Sequence, residues 1–187
     1  MKKFFLFLLV LVVIAIAGVL IYAATLPGTF KVERSIDVNA PAEKIYPMIA
    51  DFHGWPQWSP FEDMDPAMKR IYSGTASGKG ALYFWEGNEN AGKGSMEITE
   101  TNAPKLVRIK IDFSAPMAAS NMIDFVMAQT GTVTRVTWAM YGPNSYVSKI
   151  FQIFMSMDKM VGNDFEKGLA RLKTAAESTA MPKKPAK

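Results

Sequence analysis

Cysteine is absent from all 187 residues, which excludes disulfides, thiolate zinc sites and a cysteine nucleophile. Histidine is nearly absent as well. With His53 alone, a multi-histidine metal site cannot be assembled, and a hydrolytic triad would have to run through that one residue. No serine beside it suggests such a triad, and Asp51-Phe52-His53-Gly54 reads as a polar loop. A basic stripe is also missing. The net charge of +4 comes from the chain ends, where Lys2, Lys3, Lys183, Lys184 and Lys187 lie, and the residues between them are about neutral. The electrostatic footprint of a nucleic-acid binder is therefore lacking, and nucleic acid is excluded as a partner. Length is short too: Leu26 to Glu177 gives one domain with a real core and leaves no room for a second.

What is present begins with Phe4 to Ala24, 21 uncharged and almost wholly apolar residues. At about 1.5 Å of rise per residue this run spans the roughly 30 Å hydrocarbon layer of a bilayer. Leu26-Pro27-Gly28 then stops the helix. A cleaved signal peptide is the competing reading, because Lys2-Lys3, the apolar stretch and Ala15-Ile16-Ala17 supply its three parts. Cleavage after Ala17 would leave an exposed apolar end, Gly18-Val19-Leu20-Ile21-Tyr22, which favours an uncleaved single-pass anchor. The lysines before the span predict a cytoplasmic N-terminus with the domain outside the cytoplasm.

Beyond the span, Phe30 to Val38 alternates apolar and polar residues and predicts a strand. Asn39-Ala40-Pro41-Ala42-Glu43 is a helix start, and Pro47 keeps that helix short or bent. Asp51 to Pro66 has no sustained period and predicts a structured loop with at most one helical turn. From Met68 to Tyr141, runs of alternating residues are broken by Gly-, Asn- and Pro-containing turns, which predicts an antiparallel meander. Ser148 to Ala176 switches to helical period and predicts one long helix, apolar nearly all round from Ile150 to Met157. Gly162 and Gly168 within it weaken the helix and point to close packing. The class is α+β.

Several segments together carry a family resemblance: Trp55-Pro56-Gln57-Trp58-Ser59-Pro60, Asp65-Pro66-Ala67-Met68-Lys69-Arg70, Trp85-Glu86-Gly87-Asn88, Gly92 to Ile98, and Met157-Asp158-Lys159-Met160 followed by Phe165 to Leu169. In this order and spacing the chain resembles the START-like (SRPBCC) superfamily in its polyketide cyclase/dehydrase branch. The resemblance implies a helix-grip fold, a curved antiparallel β-sheet wrapped around a long C-terminal helix with an apolar cavity between them. The expected division is residues 1–25 as transmembrane anchor, 26–177 as helix-grip domain and 178–187 as a disordered Pro/Lys tail.

The expected cavity lining is Trp55, Trp58, Tyr83, Trp85, Met96, Ile109, Phe125, Trp138, Met140, Phe154, Met157 and Val161. Trp55 and Trp58, flanking a proline in a loop, serve either as a lid over a cavity mouth or as a plug of the core beneath. Inward methionines suit a pliable cavity wall and equally a gap-filling core. Glu62, Asp63 and Asp65 do not match a calcium-loop spacing and predict a solvated loop, with no metal site. Gly74 to Gly80 resembles a phosphate loop but is one residue short between glycines, lacks a following Ser or Thr and precedes no helix, so no cofactor is called for.

The expected function is membrane-tethered binding of a small hydrophobic or lipid-like ligand. One alternative is a cyclase- or dehydratase-type enzyme, which needs convergent ionisable groups in the cavity; alternation turns Asp124 outward, and Tyr83 and Asn121 form no acid–base pair with it. The other alternative is a protein-interaction module with a filled interior and an exposed apolar patch.

Overall fold

The alternating residues after the apolar run form β1 (Thr29–Val38), in the computed structural model that describes residues 2–178 apart from the side chains of Met157 and Met160. All but the first residue of the expected disordered tail, 178–187, lies outside the described residues. Ahead of β1, α1 (Lys2–Thr25) is long and apolar enough to cross a membrane, and only its Ala23 is buried against the protein. After β1 comes α2 (Ala42–Ala50), which carries Pro47 inside it and buries Ile45 and Ile49. The expected loop with one helical turn instead holds two short 3-10 turns, Phe52–Gln57 and Pro60–Asp63.

Six further strands follow: β2 (Lys69–Gly74), β3 (Ala81–Glu86), β4 (Lys93–Asn102), β5 (Leu106–Ala115), β6 (Ala119–Thr130) and β7 (Val133–Pro143). They form the predicted meander, and β1 closes onto β7, giving one antiparallel sheet in the order β1-β7-β6-β5-β4-β3-β2. Alternation puts Ile109, Ile111, Ile123, Phe125, Val136 and Trp138 on the concave, buried face.

The expected single C-terminal helix is two helices, α3 (Tyr146–Phe154) and α4 (Met157–Glu177). The break has a local cause. Met155 and Ser156 are extended, and the Ser156 hydroxyl accepts from the Lys159 amide, an N-cap that starts a new helix inside an uninterrupted apolar period. α4 lies across the concave face and buries Phe165, Leu169, Leu172 and Ala176. Its glycines do what their cost suggested. A methyl group at Gly168 would sit 2.8 Å from Trp138 Cζ3 and 3.0 Å from Pro60 Cδ, and one at Gly162 would collide with the Arg34 guanidinium. Arg34 points inward from β1 and crosses α4, bonding Asp158 at 2.9 Å and Glu166 at 2.7 Å.

The register assigns two ends to the sheet. Thr29 pairs with Pro143, Phe113 with Ala119, Lys93 with Ala115 and Glu86 with both Lys93 and Lys69, so these residues all lie at the end where α1 joins. The opposite end carries α2 and the C-terminus of α4, where the Glu177 carboxylate accepts from the Asn39 amide at 2.6 Å.

Exposed ion pairs tie both ends of α4 and the β1–β7 edge. Asp158 is held below the ordinary carboxylate range by hydrogen bonds from Arg34, Asp37 by those from Arg135, and Glu177 by Lys173 and the Asn39 amide. A carboxylate whose folded value is depressed adds stability above its unfolded value, about pH 4, and loses it as pH falls through the folded value. Urea midpoints measured against pH are therefore expected to fall below about pH 4, and to fall less steeply in Asp158→Asn, which starts lower at neutral pH. Equal acid slopes in the two proteins would refute the assignment.

Candidate functional site: a cavity at the α1 end

The aromatic residues of the core do not distribute evenly. Trp138 of β7 stacks on Phe165 of α4, with ring centres 4.1 Å apart and planes 11° apart. Phe125 (4.9 Å) and Trp58 (5.6 Å, edge-on) complete a cluster around it. The two loop tryptophans are plugs and not a lid: both are buried, and their indole nitrogens donate at 3.0 Å to the carbonyls of Ile49 and Met48 at the end of α2. On the α2 side of this cluster the gap between sheet and α4 is filled by Val38, Ile45, Ile98, Val107, Leu172 and their neighbours.

On the other side it is open. A cavity of about 390 Å³ lies between the concave face and the first turns of α4, within the size range of small-molecule sites. Of the residues expected to line it, Trp55, Tyr83, Trp85, Met96, Trp138, Met140 and Val161 do so. Trp58, Ile109 and Phe125 are instead in the solid core behind it. Phe154 is a correction: it ends α3, is 71% exposed and contributes nothing to the cavity, because the helix break turns α3 away from the sheet. Met157 opens α4, and its side chain lies outside the described residues. The wall-forming strand residues cluster near the strand termini at the α1 end, for example Trp85 one residue from the end of β3 and Phe113 two from the end of β5.

Sequence reasoning missed the polar part of this wall. Glu62, expected in a solvated loop, is only 7% exposed and faces the cavity. Its Oε1 accepts from the Tyr83 hydroxyl at 2.8 Å and its Oε2 from Arg70 Nε at 2.6 Å. Burial first, and then the bond to Glu62, raise the Tyr83 pKa far above the usual phenol value, so the hydroxyl is a permanent neutral donor. The bond to Glu62 likewise raises Arg70, which stays a cation. Asp164 of α4 also borders the cavity, as do Ser59 and Trp138, whose Oγ and Nε1 are buried without a partner among the described residues. No signal local to Glu62 marks this cluster, since its partners lie eight and twenty-one residues away on two strands.

The remaining candidates lie elsewhere. His53 hydrogen-bonds Asp51 at 2.8 Å and stacks on Tyr72 outside the cavity. Asp124 is on the outer face with Arg108, as alternation predicted, and Asn121 is buried beside Gly142. Among the described residues no group of acidic or histidine side chains is arranged to hold a metal.

A curved antiparallel sheet gripping a C-terminal helix over an apolar cavity defines the helix-grip class. The chain belongs to the polyketide cyclase / dehydrase and lipid transport family, whose model matches residues 29–177. No curated protein is significantly similar to it. Solved structures share its fold at low identity. Protein CV1439 from Chromobacterium violaceum is 14% identical with a TM-score of 0.56, over 82% of this chain and 99% of that one. The Aha1 dimer from Colwellia psychrerythraea is 19% identical with a TM-score of 0.53, over 79% and 96%. DynU16, a protein of the dynemicin biosynthetic locus, is 13% identical with a TM-score of 0.54, over 81% of this chain and 48% of that one.

Glu62 is the acceptor that Tyr83 and Arg70 Nε share, so removing it takes a partner from both, whereas removing Tyr83 leaves the Glu62–Arg70 pair in place. Glu62→Ala is expected to cost about 3 kcal/mol, the low end for breaking a buried ion pair, because water reaches the half-buried Arg70. Tyr83→Phe is expected to cost about 1–2 kcal/mol. Chemical denaturation of the two variants measures both, and a neutral Glu62→Ala would show that the cluster does not form.

Proposed function

We propose that the domain holds a small hydrophobic or lipid-like ligand in the cavity beside α4 while α1 tethers it to a membrane. The observation that carries this reading is a cavity of about 390 Å³ with almost entirely apolar walls, in a fold whose opposite half is packed solid. Its position adds support. The cavity is at the sheet end where α1 joins, and only Leu26-Pro27-Gly28 separate helix from first strand, so a ligand moving between bilayer and cavity has a short path. The wall is not uniformly oily. Glu62, Tyr83, Ser59 and the Trp138 indole nitrogen suit a molecule with one hydrogen-bonding polar group better than a pure hydrocarbon.

The same Glu62–Tyr83 pair favours a second reading, an enzyme of the cyclase or dehydratase type, because two ionisable groups converge on the cavity. Their chemistry argues for binding over proton transfer. Each Glu62 oxygen is already engaged by a donor, and Tyr83 is held neutral, so neither group is a poised base. The interaction-module alternative called for a filled interior beside an exposed apolar patch, and a cavity of this volume weighs against its first condition.

Filling the cavity tests the ligand. Ile111→Trp, which adds an indole to the wall, is expected to weaken binding of the apolar fluorophore 1-anilinonaphthalene-8-sulfonate at least tenfold while circular dichroism stays that of the parent. Unchanged affinity would place the probe elsewhere and sink the reading. For the tether, lysine placement puts the domain outside the cytoplasm. Protease added to intact cells is expected to digest the domain and leave α1 in the membrane; a domain protected until the cells are lysed would reverse the topology.

A further inference from the structure

α3 is built inside out. Val147, Phe151 and Phe154 recur at i, i+4 and i+7 on one face and are 55%, 55% and 71% exposed, with Tyr146 and Met155 exposed beside them. Its polar residues, Ser148, Lys149 and Gln152, occupy the opposite face. That polar face looks toward the domain: Gln152 exchanges amide hydrogen bonds with the buried Asn144 at 2.9 and 3.3 Å. Asn144 in turn binds the carbonyls of Pro27 and Gly28, the residues that follow α1. A helix of a water-soluble domain points its apolar stripe at the core and its polar face at water, whereas α3, with Ile150 and Ile153 half-buried beside its polar residues, leaves Val147, Phe151 and Phe154 facing outward.

A contact to α1 fixes where that stripe lies. The Tyr146 hydroxyl donates to the Leu20 carbonyl at 2.7 Å. Leu20 is five residues before Thr25, the last residue of α1, and so lies about 7.5 Å back along the helix axis. With α1 across a bilayer, the start of α3 is held at the depth where in-plane helices bury their apolar faces, about 5–10 Å into the headgroup and acyl boundary.

We propose that α3 is an interfacial helix whose Val147–Phe151–Phe154 face lies in the same bilayer that α1 crosses. The inference rests on the reading of α1 as an uncleaved span. It adds a second attachment, so that the domain is seated on the membrane and does not swing on a flexible tether. α4, which walls the cavity with Val161, Asp164 and Phe165, is separated from α3 by only Met155 and Ser156, so seating α3 holds the cavity's helix wall at the lipid surface. The ligand class follows: an apolar molecule taken from, or delivered to, the lipid phase.

Because the chain has no cysteine, single labels are unambiguous. Full-length Phe151→Cys, Phe154→Cys, Val12→Cys and Ser77→Cys, each carrying the fluorophore NBD, are reconstituted in phosphatidylcholine vesicles containing nitroxide-labelled lipid. The labels at 151 and 154 are expected to emit at shorter wavelength than the one at 77. They should lose most of their emission to a nitroxide near the headgroup end of the acyl chain, while the label at 12 responds to a nitroxide deep in the chain. If 12 is quenched by lipid and 151 and 154 respond only to aqueous iodide, the tether stands and this proposal fails. Labels at 151 and 154 that are shifted yet shielded from lipid nitroxide mark a protein cover, such as a second copy, and also overturn it. A label at 12 that no lipid nitroxide reaches removes the span itself, and the interfacial helix with it.

Discussion

The stack of Trp138 on Phe165 is the contact on which the rest of the molecule turns. It joins the sheet's concave face to the middle of α4 at 4.1 Å, and the aromatic rings of Phe125 and Trp58 buttress it from the sheet and the loop. Such large rings contribute both buried area and about 0.5–1.5 kcal/mol per pair from geometry. Gly168 lets α4 come this close, since any side chain there would meet Trp138 and Pro60. The cluster acts as a bulkhead. On one side it completes a conventional core; on the other, α4 is held at a distance set by aromatic rings, which the smaller wall residues Ala91, Val161, Ile111 and Ile123 do not fill. An unfilled apolar space forfeits dispersion contacts and costs stability in proportion to its volume. A cavity of this size is thus a standing expense that a ligand would offset by binding only the folded state.

Buried charge is placed with the same asymmetry. Ion pairs at both ends of the sheet and along its edge are largely exposed, and each contributes little, as surface pairs do. At the cavity, Glu62 is withdrawn from water, a position that is destabilising unless every oxygen finds a donor. Arg70 and Tyr83 supply those donors, and burial keeps Tyr83 protonated so that the hydrogen bond persists. The result is a fixed dipolar patch in an otherwise apolar wall, suited to orienting the polar group of a ligand without taking a proton from it.

Much of the sheet was legible from residue order because strand periodicity is local: the Gly- and Pro-marked turns between Met68 and Tyr141 bound strands β2 to β7, and alternation alone turned Asp124 outward. Trp138, Met140, Met96 and Trp85 fell on the cavity wall for the same reason. What failed was long-range or competed with a stronger pattern. Glu62 looks like its acidic neighbours, and only the fold brings Tyr83 and Arg70 to it. The break at Met155-Ser156 was hidden because the hydrophobic period runs unbroken through Phe154 into Val161. The capping serine followed by Asp158 in the first turn was the available counter-signal, and two residues of cap chemistry were outweighed by about eight turns of period.

That misreading carries information about the apolar surplus from Ile150 to Met155. Read as one helix, the surplus demands a cavity to cover, because a sheet can satisfy only one face. Once the cap at Ser156 turns α3 out of the helix–sheet layer, the same residues have no sheet to meet, and α3 buries none of its side chains. A large apolar stripe in contact with water is unfavourable by roughly 25 cal/mol for each Å² left exposed, and soluble domains avoid it or use it as a contact surface. The stripe here is beside α1, joined to it through Tyr146 and Leu20, with its polar face already satisfied by Asn144. On the proposed seating one apolar phase would meet both elements: the hydrocarbon that accepted α1 would continue, at its boundary, over the face of α3. On that reading the excess hydrophobicity of this segment answers to the position of the boundary and not to the sheet.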